Sequence, residues 1–367
     1  MGAPAPAAVI GREPPATAVR DGPVRSAGPW GALGAGPRSD RRRDHVVKRV
    51  LLLATGDTIA YSRHPAGVAS GAGLLETIPP AALAADVVVE DVMAEPGWDT
   101  SPSTMLGLAR RARSAILDRG FDGVVITHGT DTLEDCAFLT DLLAGRAAEC
   151  GGIVLTGAMR YLDDLSSDGP RNLASSITAA ADHALRGAGA VVCLNDELHA
   201  ARWVTMTDAT SVAAFSSAPF PVLGRVVGGR VETLAEPPSR PPAAAGEPET
   251  DVALIKTYPG MDPVLLTAVV DAGARGVVLE GTGMANVPVS LFTTISELTE
   301  WGIPVVVASR CRTREVPLED LPLGTGLAGK VGAIGARGLA PSKARAALMV
   351  ALGTGGPRAV RDWFGRL

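Results

Sequence analysis

Aromatic side chains make up only 4% of these 367 residues: six Phe, three Tyr and five Trp. The interior must therefore be filled by aliphatic and small residues. The 46% hydrophobic content is ample for one large or two ordinary globular domains. Cysteine is scarce too. Cys136, Cys150, Cys193 and Cys311 are scattered without CxxC or metal-ligand spacing, and read as small buried hydrophobes in a reducing compartment. No apolar run reaches the length of a membrane-spanning helix. Basic excess is also missing. A net charge of -5 gives no electrostatic basis for binding nucleic acid or an anionic membrane. Walker, HExxH and GxSxG motifs do not occur. Gly324-Thr325-Gly326-Leu327-Ala328-Gly329 matches GxGxxG, but it follows Pro317 to Pro322 rather than a buried strand, so it reads as a loop. No cofactor or metal is implied.

What is present is a repeated alternation of short buried strands and amphipathic helices, the pattern of a parallel α/β sheet with right-handed crossovers. Residues 1 to 46 are rich in Ala, Pro, Gly and Arg without periodicity, and are expected to be a disordered tail. Arg41-Arg42-Arg43 evokes a twin-arginine signal. The apolar run after it is short and ends in Thr55-Gly56-Asp57, so it reads as the first core strand, and the expected compartment is the cytoplasm. Residues 47–231 form the expected N-terminal domain, with strands at Val50–Ala54, Val87–Val89, Gly123–Thr127, Gly152–Thr156 and Ala190–Leu194. Residues 197 to 230 read as hairpin and loop. Residues 232–250 form a Pro-rich linker, and 251–367 a smaller α/β domain.

Two strand ends stand out. Val50 to Ala54 leads into Thr55-Gly56-Asp57-Thr58-Ile59-Ala60, and Val124 to Ile126 into Thr127-His128-Gly129-Thr130-Asp131-Thr132. Open α/β sheets bind ligands at the carboxyl ends of their strands. Thr hydroxyls beside carboxylates at such ends are candidate nucleophiles, since a Thr hydroxyl reacts only with a base or an electropositive neighbour. Glu134 and Asp135 read as first-turn carboxylates facing the helix dipole, and His128 as a structural hydrogen-bonding group.

These two loops, in this order, resemble the bacterial-type L-asparaginase/glutaminase family, with its TGGTIA and HGTDT motifs. The similarity continues through Leu155 to Arg160, Asp168 to Leu173, Asn195 to His199 and Gly338 to Arg345, and so spans the chain from about residue 48 onward. The resemblance implies two α/β domains, a homodimer or homotetramer, and a small-molecule amide substrate cleaved through an acyl-enzyme. It assigns the nucleophile to Thr58, a triad to Thr130, Asp131 and a downstream lysine, and the substrate's α-amino group to Asp131; the candidate substrate-binding positions are Tyr61, Gly97, Trp98, Asp99, Gly129 and Asn286. It matches Asn286 to a second-domain residue that reaches a neighbouring subunit's site.

The departures are as informative. The lysine of the family's VTKT-like stretch is Met206, and a thioether cannot take a proton from Thr130 or balance Asp131. The second Gly of TGGTIA is Asp57. The family's substrate-carboxylate-binding Ser falls at Gly97, followed by Trp98 and Asp99. One reading is an amidohydrolase with an altered site, in which Asp57 serves as base and the substrate is not free asparagine. A second is another reaction class on the same scaffold: elimination, ring opening or rearrangement of an amide. A third is a non-catalytic binding homologue.

Overall fold

The computed structural model describes residues 47–242, 244–312, 318, 321 and 326–367. The tail and the twin-arginine motif lie outside the described residues, as does the start of the GxGxxG match. The rest of that match opens a short 3-10 turn at Leu327–Val331.

Eight strands form the larger sheet: β1 Arg49–Ala54, β2 Asp86–Asp91, β3 Gly123–Thr127, β4 Gly152–Thr156, β5 Ala190–Leu194, β6 Glu197–Ala200, β7 Gly224–Val227 and β8 Arg230–Thr233. Their spatial order is β8-β7-β6-β5-β4-β3-β1-β2. From β2 to β5 the neighbours run parallel. This is the parallel sheet expected from the sequence, and the segment read as hairpin and loop adds β6, β7 and β8 antiparallel at its edge. The cause is local. Asn195 and Asp196 hold φ of 51° and 62° between β5 and β6, and Gly228 and Gly229 hold 56° and 76° between β7 and β8. Two-residue turns with both φ positive match strand twist and close hairpins. No crossover helix is needed there.

The crossover helices α1 Pro102–Leu117, α2 Leu133–Ala144 and α3 Gly169–Ala181 cover the parallel part. α1 starts where Ser101 accepts the Thr104 N–H and Pro102 takes the first turn. β1 is buried on both faces. Leu51 and Leu53 pack with α1 and α2, while Val50 and Leu52 pack with α3 residues Leu173 and Ile177. Burial of both faces is why the run reads as continuous rather than alternating.

The second sheet is parallel, in the order β9 Val252–Lys256, β10 Gly276–Gly281, β11 Val305–Ser309, β12 Ile334–Gly335. Its outer face packs on α4 Val264–Asp271 and α5 Phe292–Glu300, through Leu266, Ile295 and Leu298. Its inner face (Val278, Val306) shares one apolar cluster with α6 Pro341–Leu352, α7 Pro357–Phe364, α1 and α2. A single core therefore backs both sheets. Between β8 and β9 the described residues form no helix or strand, but the segment is tethered. Arg240 Nη1 donates to Asp141 Oδ1 at 2.7 Å and Nη2 to the Asp141 carbonyl at 3.2 Å.

Candidate active site

The carboxyl ends of β1 and β3 are adjacent because Leu53 pairs with Ile126 in parallel register. Just past the sheet, Thr55 N–H donates to Thr127 Oγ1 at 3.1 Å, and Thr55 Oγ1 donates to the Thr127 carbonyl at 2.5 Å. This double bond fixes the start of both loops. The first then turns sharply, with Gly56 at φ +82° and Asp57 at φ +66°. That region is costly for a residue with a Cβ, and Asp is among the few that tolerate it. Asp57 Oδ1 accepts the Thr58 backbone N–H at 2.5 Å and the Thr58 hydroxyl at 3.0 Å.

A third loop closes the arrangement. Gly97, which opens the 3-10 turn Gly97–Asp99 after β2, donates its N–H to Asp57 Oδ2 at 2.5 Å. Its carbonyl accepts the Thr132 hydroxyl at 2.6 Å. Gly97 and Gly129 meet backbone to backbone. A Cβ on Gly97 would lie 2.6 Å from the Gly129 Cα, and one on Gly129 would collide with Asp57 Oδ2. Asp57, Gly97 and Gly129 thus converge from three strand ends, with Thr58 and Thr130 on the loops they join.

His128 lies beneath. Its Nδ1 donates to the Gly129 carbonyl at 3.0 Å, since a carbonyl can only accept. Burial holds the imidazole below its usual range, opposed by that carbonyl and by the charge of Asp57. The ring is therefore neutral, and Nε2 is a buried acceptor with no hydrogen-bond partner among the described residues.

The remaining candidates divide. Thr130 is buried, in the 3-10 turn Thr130–Thr132, and Asp131 beside it is exposed. No Lys or Arg nitrogen lies within 4.0 Å of Asp57 or Asp131 among the described residues. Trp98 is 67% exposed, and Asp99 is exposed as well, so neither is packed into the convergence. Tyr61 follows Thr58 through a turn, and its ring stacks edge-on to Tyr161 at 5.3 Å. Asn286 lies in the second domain, where its Oδ1 accepts the Gly326 N–H at 3.0 Å. Lys256 is a solvent-facing strand-end residue paired with Glu280 at 3.2 Å. Asp168 and Asn172 knit the loops after β4 and β5: Asp168 accepts the Met159 and Arg160 N–H groups, while Asn172 bonds Gly157 and Asn195.

Met206 is half-buried in a two-residue strand paired with Phe215–Ser216. Its backbone N–H points to Glu134 Oε1 at 3.5 Å, and Thr205 Oγ1 donates to the same oxygen at 2.8 Å. Here the sequence reading is corrected. Glu134 is not merely a first-turn carboxylate, because it also pairs at 3.5 Å with the ammonium of Lys343, a fully buried residue of α6. Lys343 further donates to the Val204 carbonyl. Burial pulls Lys343 down to about 8, opposed by Glu134 and Asp135. Burial pushes the neighbouring Asp135 carboxyl up, against Ser342, Lys343 and Arg345. A Lys inside the apolar pattern of Pro341–Leu352 was the available signal, since Lys is almost never fully buried unless paired.

Fold and loops define a two-domain α/β protein with its candidate site at the carboxyl edge of the larger sheet. The chain belongs to the asparaginase family: "Asparaginase, N-terminal" matches residues 49–239 and "Glutaminase/Asparaginase C-terminal domain" matches residues 251–364. It is 31% identical over 330 residues to "L-asparaginase 2" of Escherichia coli (strain K12), covering 84% of this chain and 89% of that one. It is 31% identical over 337 residues to "Probable L-asparaginase periplasmic" of Haemophilus influenzae, covering 87% and 93%. Among solved structures it is similar to the probable cytoplasmic L-asparaginase from Campylobacter jejuni, with a TM-score of 0.76 and 29% identity over 87% of this chain and all of the other. Family membership supports a hydrolase. No described helix is long and apolar enough to cross a membrane.

Proposed function

We propose that the protein hydrolyses the side-chain amide of an asparagine-related small molecule other than free asparagine, with Thr58 as nucleophile and Asp57 as its base. The observation that carries this reading is the 3.0 Å hydrogen bond from the Thr58 hydroxyl to Asp57 Oδ1. A hydroxyl bonded to a fixed carboxylate has its proton acceptor in place. Thr58 Oγ1 attacks the amide carbonyl carbon, and its proton passes to Asp57. Asp57 returns that proton to the leaving nitrogen as the C–N bond breaks and ammonia departs. Water then attacks the Thr58 ester, giving the carboxylic acid and the free hydroxyl. Backbone N–H groups in the turn Thr130–Thr132 are the proposed donors to the oxyanion. Thr130 and Asp131 orient the substrate; Met206 supplies neither charge nor proton.

Asp57 takes the place of the lysine-dependent proton path. This is the sense in which the site is atypical. The proposed assembly is a homodimer or homotetramer, testable by light scattering. The proposed compartment is the cytoplasm; the relatives include one named periplasmic and one named cytoplasmic.

The test is to incubate the purified protein with asparagine, glutamine and a panel of related amides, following ammonia and product mass together. Ammonia released with a gain of water, lost in Thr58→Ala, supports the reading. Conversion of an amide without ammonia release, or full activity in Thr58→Ala, sinks it.

A further inference from the structure

We propose that Asp57 sets the substrate class: its carboxylate occupies the site's own anion cradle, so the pocket takes neutral or cationic amides that carry no carboxylate near the reacting amide. The inference rests on the amide-hydrolase reading above and narrows it.

Two backbone N–H groups from different loops, Thr58 and Gly97, converge on one point at the strand ends. Converging backbone donors of this kind bind anions. Here both are satisfied at 2.5 Å by a side chain of the same chain, one oxygen to each. The cradle is also closed. Gly129 backs onto Asp57 Oδ2 so tightly that a Cβ there would collide with it, and the same Cβ would lie 2.7 Å from the Gly97 Cα. A substrate carboxylate cannot share the cradle. To enter, it would have to displace Asp57, whose left-handed backbone at φ +66° aims the side chain inward. It would also meet a like charge at close range, with no Lys or Arg nitrogen within 4.0 Å of Asp57 among the described residues to offset it. The two oxygens of Asp57 thus act separately: Oδ1 faces the Thr58 hydroxyl, and Oδ2 fills the anion position.

The substrate pair that isolates this is L-asparagine and 3-aminopropanamide, the same skeleton without its carboxylate. Wild type is expected to favour 3-aminopropanamide by about 100-fold in kcat/KM, the scale of a like-charge clash. Calorimetric binding of the acids L-aspartate and 3-aminopropanoate reads the cradle without turnover. Asp57→Gly, which suits the left-handed backbone, frees both N–H groups and should bind L-aspartate at least about tenfold more tightly than wild type. Asp57→Asn, keeping the shape without the charge, should fall between. Wild type preferring L-asparagine, or L-aspartate binding wild type as tightly as Asp57→Gly, overturns the proposal. Absence of ammonia release from every amide would sink the hydrolase reading alone, and the calorimetric comparison would still decide who fills the cradle.

Discussion

The Lys343 ammonium lies 3.5 Å from the Glu134 carboxylate, joining α6 of the second domain to the first turn of α2. Through Glu134 it reaches Thr205 and the backbone of Met206. The ammonium is fully buried, so it needs this partner and the Val204 carbonyl to remain charged. Removing it should be severe. Lys343→Met is expected to cost about 3–5 kcal/mol in urea unfolding, because Glu134 is left as an uncompensated charge. Adding Glu134→Gln should recover much of that loss, and no recovery would show that Lys343 stabilises by packing instead.

Asp57→Asn keeps the side chain's size but removes its capacity to take the Thr58 proton. The expected result is a fall in kcat of about 100-fold or more, within the usual range for loss of a positioned base. Steady-state ammonia release on the best amide of the panel measures it. An unchanged kcat would remove Asp57 from the proton path.

On the proposed reading, in which Met206 stands at the triad lysine position, Met206→Lys should raise amide hydrolysis by about tenfold or more, since Thr130 and Asp131 have no cationic neighbour within 4.0 Å among the described residues. Single-turnover rates before and after the change provide the check. A rate equal to or below wild type would mean that the site has been rebuilt around the thioether.

His199 predicts a pH dependence of stability. Burial, against the pull of Glu197, takes its imidazole from 6.5 down to about 4. The unfolded chain therefore binds the proton first as acid is added. The contribution of His199 is fully present above about pH 6.5 and is lost as pH falls toward about 4, by roughly 3 kcal/mol in all. Urea midpoints across that window should fall more steeply for wild type than for His199→Gln. Parallel curves would show that the acid sensitivity lies elsewhere.

Gly97→Ala should cost about 1–3 kcal/mol and lower activity, since the new Cβ would sit 2.6 Å from the Gly129 Cα and force the two loops apart. A variant with unchanged melting temperature and rate would mean that the loops yield easily.

Much of this was legible in the sequence, for reasons that particular residues make plain. The run Val50 to Leu53 is apolar at every position because both faces of β1 are covered, and Ser101-Pro102 marks a helix start by the capping bond it then makes. The hydroxyls and carboxylates after β1 and β3 were visible as a pair because strand ends collect in parallel sheets. What was hidden depends on distant partners. Glu134 looked satisfied by its own helix, and nothing local says that Lys343 comes to meet it. The bond from Gly97 to Asp57 was equally invisible, since a backbone N–H has no sequence signature. The antiparallel edge was legible only as hairpin and loop, because its strands are four residues long and begin at the positive-φ turn Asn195-Asp196.

The apolar cluster shared by α1, α2, α6 and α7 has a consequence for anyone dissecting the chain. Severed within the proline-rich stretch, each half would present a raw greasy flank to water and lose the Arg240 staple that ties the connection down. The two halves are thus one thermodynamic object, and heat should melt them in a single step.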